Sequence, residues 1–391
     1  MRYRLDTTEI LLLDIIKSSL FDIPVDAGAY NAEEIDWGAV FRKAARHNVL
    51  PLVLQNINDL IAKLSIPEEK VKRWRIAAHN QIAFNEKLMF CQNSIVEILD
   101  KAGIPYAVLK GSGLSACYPR PDLRVLHNID LLLRPSDFGQ ALNILYESGF
   151  GRRVIEKSFH EVLCREDVLV EPHASVPGVD GSRAGEKIKA FFEDALEHTE
   201  AETVGACSFK VLAPERQAVA LLLCMERLIV ENRLDLRRLC DWAMFVCRKT
   251  GKEMWASRIQ PELVRFGLDR FAKLMTKICV LFLGLNPEHC PWAEEADENL
   301  CEKLLAIVLR NYSAGDRQPA AFVLSSLRAG SKFPLLNKVP APISFAGIFA
   351  RMRDLYEMKA VKKARGSVLE TVREAARINR VYGKLKLYKA K

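Results

Sequence analysis

The hydrophobic periodicity of this chain changes twice, and the changes separate two helical ends from a short middle that contains strands. Up to residue 100 the apolar residues recur at helical spacing, as in Glu9–Leu20 and in the long amphipathic stretch Glu68–Asp100. Gly103 follows, at a position where glycine commonly ends a helix. From Pro214 onward the spacing is helical again. The chain therefore predicts an α+β fold in which helices flank a small core on both sides.

The middle of the chain alternates short β-prone runs with helical turns. The predicted strands are Ile104–Leu109, Ile129–Leu133 and a hairpin of Val162–Leu163 with Val168–Val170, and a helix is expected after Ser136. This β-α-β-α-β order is too short for a doubly wound domain. It favours a compact mixed sheet of three to five strands with two helices.

We expect four segments along the chain. They are an N-terminal helical region (1–102), an α/β core (103–212), a C-terminal helical domain (213–350) and a basic helical tail (351–391). A surface connection is predicted at Pro334–Pro342, which contains three prolines.

The positive charge of the chain is concentrated in the tail. The whole chain carries a formal charge of +8, whereas the tail alone has thirteen Lys/Arg and four Asp/Glu, a balance of +9. The body is thus close to neutral, which argues against the body as a whole as a nucleic-acid-binding surface. Two interpretations of the tail stay open: a solvated helix packed on the body, or a contact with an anionic partner such as RNA, a phosphorylated peptide or lipid headgroups.

Hydropathy and cysteine usage indicate a cytoplasmic protein without a transmembrane segment. The longest apolar runs, Val219–Met225 and Ile278–Leu285, are far shorter than the ~20 residues that a membrane span needs. The N-terminus lacks the apolar region of a signal peptide. The ten cysteines form no Cys-x-x-Cys pair, so we expect reduced thiols.

Three short polar motifs accompany the predicted strands of the core. They are Lys110-Gly111-Ser112, Asn128-Ile129-Asp130 and Glu171-Pro172-His173. Residues i and i+2 of a strand face the same side, so each of the last two motifs presents a pair of polar side chains. A Gly-Ser turn can offer backbone N–H groups to phosphate, and carboxylates on adjacent strands can hold Mg²⁺. Two such ions would support nucleotidyl transfer, although the spacing alone also fits ordinary strand ends.

Together the motifs resemble the uncharacterised bacterial nucleotidyltransferase family of the DNA polymerase β-like superfamily. That family typically has a Leu-Lys-Gly turn, a Tyr-Pro-x-Pro-x-x-Arg segment and Gly-Asp-Ile-Asp before an apolar strand. The matching stretches here are Val108–Gly111, Tyr118–Arg124 and Asn128–Leu133, with flanking similarity at Asp36-Trp37, His47–Leu52 and Leu234–Ala243. The resemblance covers about residues 8–290. It implies a minimal nucleotidyltransferase core, an NTP substrate and Mg²⁺ (or Mn²⁺).

The resemblance also implies roles for the residues that hold the nucleotide. Gly111 and Ser112 would cradle the triphosphate, and Lys110 and Arg124 would contact phosphate oxygens, with a solvated side chain as the alternative for both. Arg237 would reach the nucleotide or the acceptor from a C-terminal helix.

Further roles concern the metal and the acceptor. Asp130 would be the principal metal ligand, and Glu171 would orient or deprotonate the acceptor hydroxyl. His173 would hydrogen-bond the acceptor or Glu171. Asp241, four residues after Arg237, could form an i,i+4 pair with it. The family context implies a sugar, peptide or other small acceptor from polysaccharide or peptide biosynthesis.

One position departs from the family pattern. His127-Asn128 stands where the family has Gly-Asp, so an amide replaces the first metal-binding aspartate. Asn128 can still offer an oxygen to a metal, but Asp130 and Glu171 then supply a charge of −2 instead of −3. Two hypotheses follow: an enzyme with weakened or altered metal binding, or a catalytically degenerate protein that only binds nucleotide or acts as a scaffold. An RNA-modifying transferase that uses the basic tail is a third, weaker hypothesis.

Overall fold

The structure of the protein, a computed structural model, describes residues 5–153, 161–177, 183–230 and 233–311. The predicted connection at Pro334–Pro342 and the basic helical tail (351–391) lie outside the described residues.

Five helices precede the sheet. They are α1 (Thr7–Phe21), α2 (Trp37–Arg46), α3 (Leu50–Gln55), α4 (Asn58–Ile61) and α5 (Glu68–Lys101). The longest, α5, has 34 residues and packs against both the N-terminal helices and the sheet. Near its start Trp74 contacts Trp37 and stacks on Phe41, whereas near its end Leu88 and Ile95 pack against the sheet. Helix α5 therefore connects the N-terminal helices to the core.

The core contains a mixed five-stranded sheet and a separate two-stranded hairpin. Its elements, in chain order, are β1 (Tyr106–Leu109), α6 (Lys110–Ser115), β2 (Asn128–Leu133), α7 (Phe138–Glu147), β3 (Gly151–Arg152), β4 (Leu163–Arg165), β5 (Val168–His173), α8 (Arg183–Phe192), β6 (Thr199–Val204) and β7 (Cys207–Leu212). The sheet order is β1-β2-β5-β4-β3, with β2 and β5 parallel and the other pairs antiparallel. The predicted small mixed sheet is confirmed.

The two faces of the sheet differ in character. One face packs on α5 and α7 through alternate strand residues, among them Val108, Ile129 and Val170. The other face carries Leu109, Asp130 and Glu171 in one row across three strands, and Ala107, Leu132 and His173 in the next. Because side chains alternate along a strand, the register that buries the apolar set also places all three polar side chains on the opposite face.

Helices of the C-terminal half join those of the N-terminal half in one apolar cluster. They are α9 (Pro214–Val230), α10 (Leu236–Lys249), α11 (Lys252–Met254), α12 (Gln260–Arg265), α13 (Asp269–Leu283) and α14 (Glu298–Asn311). Helix α10 lies at the centre, where its Trp242 contacts Trp255, which in turn stacks on Trp292 at 4.2 Å. Within the described part of the chain, we find no helix with the length and apolar character that a membrane crossing requires.

The close approach of α6 to β1 depends on a glycine, which gives a stability prediction. A Cβ added at Gly113 would lie 2.8 Å from the Val108 carbonyl oxygen and 3.5 Å from Val211 Cγ1. We expect Gly113→Ala to lower the free energy of unfolding by about 1–3 kcal/mol because the packed backbone must move. Urea denaturation measures this change.

The control is Gly139→Ala on α7, where an added Cβ meets no atom within 4 Å. It should leave stability unchanged or raise it by up to about 1 kcal/mol. Equal effects of the two substitutions would contradict the packing described for α6.

Candidate functional site

The turn after β1 has an unusual backbone. Lys110 and Gly111 both have positive φ, 29° and 39°, a region that side chains other than glycine rarely adopt. A Cβ added at Gly111 would lie 3.7 Å from the Asn128 carbonyl oxygen, so the turn runs close to the start of β2. The predicted Gly-Ser turn thus stands beside the first residues of the Asn-x-Asp motif.

Ser112 is turned inward rather than toward a ligand. Its side chain is buried and its hydroxyl donates to the Gln92 side-chain oxygen on α5. The Ser112 carbonyl oxygen accepts from the Ser115 hydroxyl at 2.6 Å. Any contact of Ser112 with phosphate is therefore limited to its backbone N–H, because the hydroxyl is already engaged.

Asp130 is buried and has two partners on one oxygen. Lys110 Nζ lies 3.0 Å and His173 Nε2 lies 2.9 Å from Asp130 Oδ1. Burial by itself would raise the pKa of the Asp130 carboxyl, but Lys110 and His173 hold this pKa well below its usual value. The carboxylate is consequently ionised at neutral pH, as a metal ligand must be. His173, expected to hydrogen-bond the acceptor or Glu171, contacts Asp130.

Glu171 stands beside Asp130 on the neighbouring strand. The two residues are in register on the parallel pair β2–β5, and Glu171 is half-buried. One ligand atom each from Asp130, Glu171 and His173 lie within 4.8 Å of one another. We refer to these three residues as the carboxylate–histidine cluster. Its two carboxylates and one imidazole fit a divalent cation, since only a small closure would bring all three to bonding distance.

Asn128, the third predicted metal ligand, begins β2 two residues before Asp130 and is half-buried. It therefore shares the face of Asp130, as predicted from the strand period.

Arg124 and Asp241 form a buried ion pair between the core and α10. Arg124 Nε lies 3.0 Å from Asp241 Oδ1 and Nη2 lies 2.7 Å from Oδ2, and both side chains are 1% exposed. Tyr118 donates its hydroxyl to the same carboxylate at 2.8 Å. This corrects both predictions for Arg124: the guanidinium is neither solvated nor free for phosphate, because a bidentate carboxylate holds it.

The i,i+4 pair predicted between Arg237 and Asp241 is also wrong. Asp241 pairs with Arg124 and, at 3.2 Å, with Arg238 of its own helix. Arg237 is buried, donates to the Val125 carbonyl oxygen at 3.0 Å and lies 3.7 Å from Asp235. Burial, together with the charge of Arg238, lowers the pKa of Arg237 to about 10. Arg237 thus supports the loop that leads into β2.

The family model described as "uncharacterised nucleotidyltransferase" matches residues 33–284. The chain belongs to this family. No curated protein and no solved structure matches the chain. The nucleotidyltransferase-family match runs from just before α2 to Gly284, the residue that ends α13. It therefore includes the carboxylate–histidine cluster and also the helices that pack around it.

Sequence reasoning missed two polar residues of α5 that position the nucleotidyltransferase motifs. Gln92 holds Ser112, and Asn85 donates to the carbonyl oxygens of Asp122 and Arg124 and accepts from the Leu126 N–H. Both are buried. They lie seven residues apart on the face that packs Leu88 and Ile95. Two amides within an apolar helical stripe were the signal that could have identified them.

Arg238 was missed as well. It is mostly buried, contacts Asp241, and lies near enough to Asp130 for the two charges to interact. Burial would lower the pKa of Arg238, but the negative groups around it, Asp130 among them, raise this pKa above its usual value. Arg238 therefore adds a second positive charge beside Asp241, within electrostatic range of Asp130.

The N-terminal helices reach the site through His47-Asn48. Asn48 donates to Asp235 at 2.8 Å, and its side-chain oxygen lies 3.0 Å from His127 Nε2. The Leu236 N–H donates to His47 Nδ1 at 3.4 Å. These contacts join the turn between α2 and α3 to the start of α10 and to His127, the residue before Asn128.

The buried ion pair predicts a large effect of a small substitution. Asp241→Asn keeps the shape of the side chain but leaves Arg124 and Arg238 without their carboxylate. We expect the free energy of unfolding to fall by about 3–5 kcal/mol, as for other buried charges deprived of a partner. Chemical denaturation followed by circular dichroism measures the loss.

The matched control is Asp194→Asn, which removes the partner of Arg216 at a site where Asp194 is 49% exposed. A change below about 1 kcal/mol is expected there. A similarly small effect of Asp241→Asn would contradict a structural role of the Arg124 pair.

Proposed function

We propose that this protein transfers a nucleoside monophosphate from an NTP to a hydroxyl or phosphate acceptor, with Mg²⁺ or Mn²⁺ as its metal. The observation that carries the proposal is the in-register pair of Asp130 and Glu171 beside the positive-φ turn after β1. Membership of a nucleotidyltransferase family supports the reaction class.

A divalent ion bound to the carboxylate–histidine cluster would neutralise charge on the triphosphate and acidify the acceptor hydroxyl. Asp130 suits this site because it is buried and ionised. Asn128 can add a neutral oxygen from the same face of β2. The residues available to this chain therefore provide two carboxylates where three would be expected from the motif.

Lys110 and the turn after β1 are suited to binding the phosphates of the nucleotide. The Lys110 ammonium lies on Asp130 Oδ1 at 3.0 Å, and its side chain is 14% exposed. A flexible ammonium can move from this carboxylate to a phosphate oxygen when a nucleotide arrives. Backbone N–H groups of Gly111 and Ser112 would bind further oxygens of the triphosphate.

The exposure of Glu171 supports its proposed role as the residue that accepts the proton of the acceptor. It is half-buried, in contrast to the buried Asp130, so one edge of its carboxylate can meet a second substrate. In the transfer, an acceptor oxygen forms a bond to the α-phosphorus and its proton passes to Glu171. The bond from the α-phosphorus to pyrophosphate breaks, and pyrophosphate leaves.

The finer assignments are part of the same proposal. The motif resemblance supports a core of the DNA polymerase β-like type and an acceptor that is a sugar, a peptide or another small molecule. Contact of the basic tail (351–391) with an anionic partner stays a prediction from charge alone.

Asn128 and Lys110 favour a second candidate, a degenerate protein that binds nucleotide without turnover. Asn128 withholds one negative charge from the metal site, and Lys110 already neutralises Asp130. Both features weaken the attraction of a dication to the site.

Asn128→Asp separates the two candidates. If the site is a weakened enzyme, restoring the carboxylate should raise pyrophosphate release by on the order of a hundredfold, because it adds charge stabilisation at the reacting centre. Asp130→Asn should abolish release. Labelled NTPs with Mg²⁺ or Mn²⁺ provide the assay.

Asn299→Asp, which adds the same charge at an exposed position of α14, is the control and should have no effect. NTP binding by calorimetry without pyrophosphate release from either Asn128 form would favour the degenerate protein. Absence of NTP binding would reject both candidates.

Lys110→Met tests the exchange of partners proposed for Lys110. Without the competing ammonium, Mn²⁺ should bind the nucleotide-free protein about tenfold more tightly, whereas NTP affinity should fall about tenfold through loss of one charge-assisted hydrogen bond. Isothermal titration measures both affinities.

Lys72→Met on the exposed side of α5 serves as the control for a lost positive charge. If Lys110→Met changed both affinities in the same direction, the exchange would be excluded.

A further inference from the structure

We propose that the carboxylate–histidine cluster binds a transition-metal dication, represented by Mn²⁺, in preference to Mg²⁺, with His173 as a direct ligand. The location of the site rests on the proposed function, whereas the choice of metal depends on the side chains that converge there.

The geometry places His173 where a ligand belongs. His173 lies two residues after Glu171 on β5, so both face the side of the sheet that carries Asp130. His173 Nε2 and Asp130 Oδ1 are 2.9 Å apart. Two adjacent ligands of an octahedral ion with bonds of about 2.1 Å are separated by about 3.0 Å. The observed pair is joined by a hydrogen bond whose length also matches the spacing of neighbouring metal ligands, so a dication would take the place of the shared proton.

The third member of the cluster completes one face of such an ion. A Glu171 oxygen lies within 4.8 Å of the ligand atoms of both other residues. A small rotation of its half-buried side chain would shorten these separations. The cluster would leave room for water, phosphate oxygens and the amide oxygen of Asn128 around a bound ion.

The donor set decides which metal is favoured. Mg²⁺ prefers oxygen ligands only and loses its water reluctantly. Imidazole suits first-row transition metals such as Fe, Ni and Zn best, and Mn²⁺, the weakest binder of that series, still accepts a nitrogen ligand more readily than Mg²⁺ does. Two carboxylates and one imidazole form a mixed set that stabilises Mn²⁺ more than Mg²⁺. The substitution at Asn128 strengthens this preference, since a site with fewer carboxylates attracts a hard dication less by charge and depends more on its nitrogen ligand.

Lys110 adds a condition to binding. Its ammonium lies 3.0 Å from the oxygen that His173 also contacts. A dication that enters the cluster must displace this ammonium, and a stronger bond to nitrogen helps it to do so. Mg²⁺ gains no such bond.

The test uses the full-length protein without nucleotide and Mn²⁺ alone as the probe. Electron spin echo modulation of bound Mn²⁺ should show coupling to an imidazole nitrogen. Labelling the protein with ¹⁵N-histidine should replace the ¹⁴N modulation with that of ¹⁵N. In competition, Mn²⁺ should bind at least about tenfold more tightly than Mg²⁺. The labelling experiment needs no substitution, so it does not depend on the folding of a variant.

Substitutions then assign the nitrogen. His173→Gln should remove the coupling and weaken Mn²⁺ binding by about tenfold to a hundredfold. His173→Asp, which supplies an oxygen in place of the nitrogen, should shift the preference toward Mg²⁺. His198→Gln is the matched control, because His198 is 60% exposed and pairs with Asp194 away from the cluster. It should change neither the coupling nor the affinity.

Bound Mn²⁺ without nitrogen coupling, equal affinities for Mn²⁺ and Mg²⁺, or no Mn²⁺ binding would each overturn the proposal. Nitrogen coupling in a protein that releases no pyrophosphate would retain the metal assignment and reject the proposed reaction. Pyrophosphate release with Mg²⁺ and no nitrogen coupling would reject the metal assignment alone.

Discussion

The buried pair of Arg124 and Asp241 is the interaction on which the arrangement of the site depends. It joins the loop before β2 to α10 through two hydrogen bonds between residues 117 positions apart in the chain. Burying two charges costs free energy that their attraction alone does not always offset. Here Tyr118 and Arg238 supply further hydrogen bonds to the same carboxylate, so neither charge lacks partners. The pair therefore fixes α10 next to the loop that leads into β2, and it holds Arg238 on the same carboxylate.

Contacts from the N-terminal half reinforce this arrangement. Asn85 holds the loop that carries Arg124, and Asn48 joins Asp235 at the start of α10 to His127 before β2. The strands provide the cluster residues, but helices from both ends determine how the strands meet α10. This explains in physical terms why the family match spans residues 33–284 and is not confined to the sheet.

The sequence predicted what depends on local periodicity and failed where contacts join distant segments. The mixed sheet, its flanking helices and the shared face of Glu171 and His173 follow from periods of 3.6 and 2, whereas the strand pairing brings Asp130 onto that face. Arg124 lies in a proline-containing loop without any period, so nothing local indicated that its partner is on α10. For Arg237 the helical spacing allowed a pair with Asp241, but a competing tertiary partner, Arg124, occupies that carboxylate. Spacing shows which pairs are possible, and only packing decides among them.

The charges around Asp130 bear on the two candidate functions, a nucleotidyltransferase and a protein that only binds nucleotide. Lys110 Nζ and His173 Nε2 both approach a single oxygen of this carboxylate, so Lys110 already offsets the charge of Asp130 before any metal enters. A protein whose only task was to bind a triphosphate would gain from a free ammonium, because an Asp130–Lys110 pair reduces the attraction for anions. The carboxylate is instead buried, ionised and aligned with Glu171. Burying an ionised carboxylate costs desolvation free energy, and phosphate binding alone does not require a buried carboxylate. The pair of carboxylates therefore supports the proposal that a cation replaces Lys110 at Asp130, with Asn128 proposed to determine how strongly that cation binds.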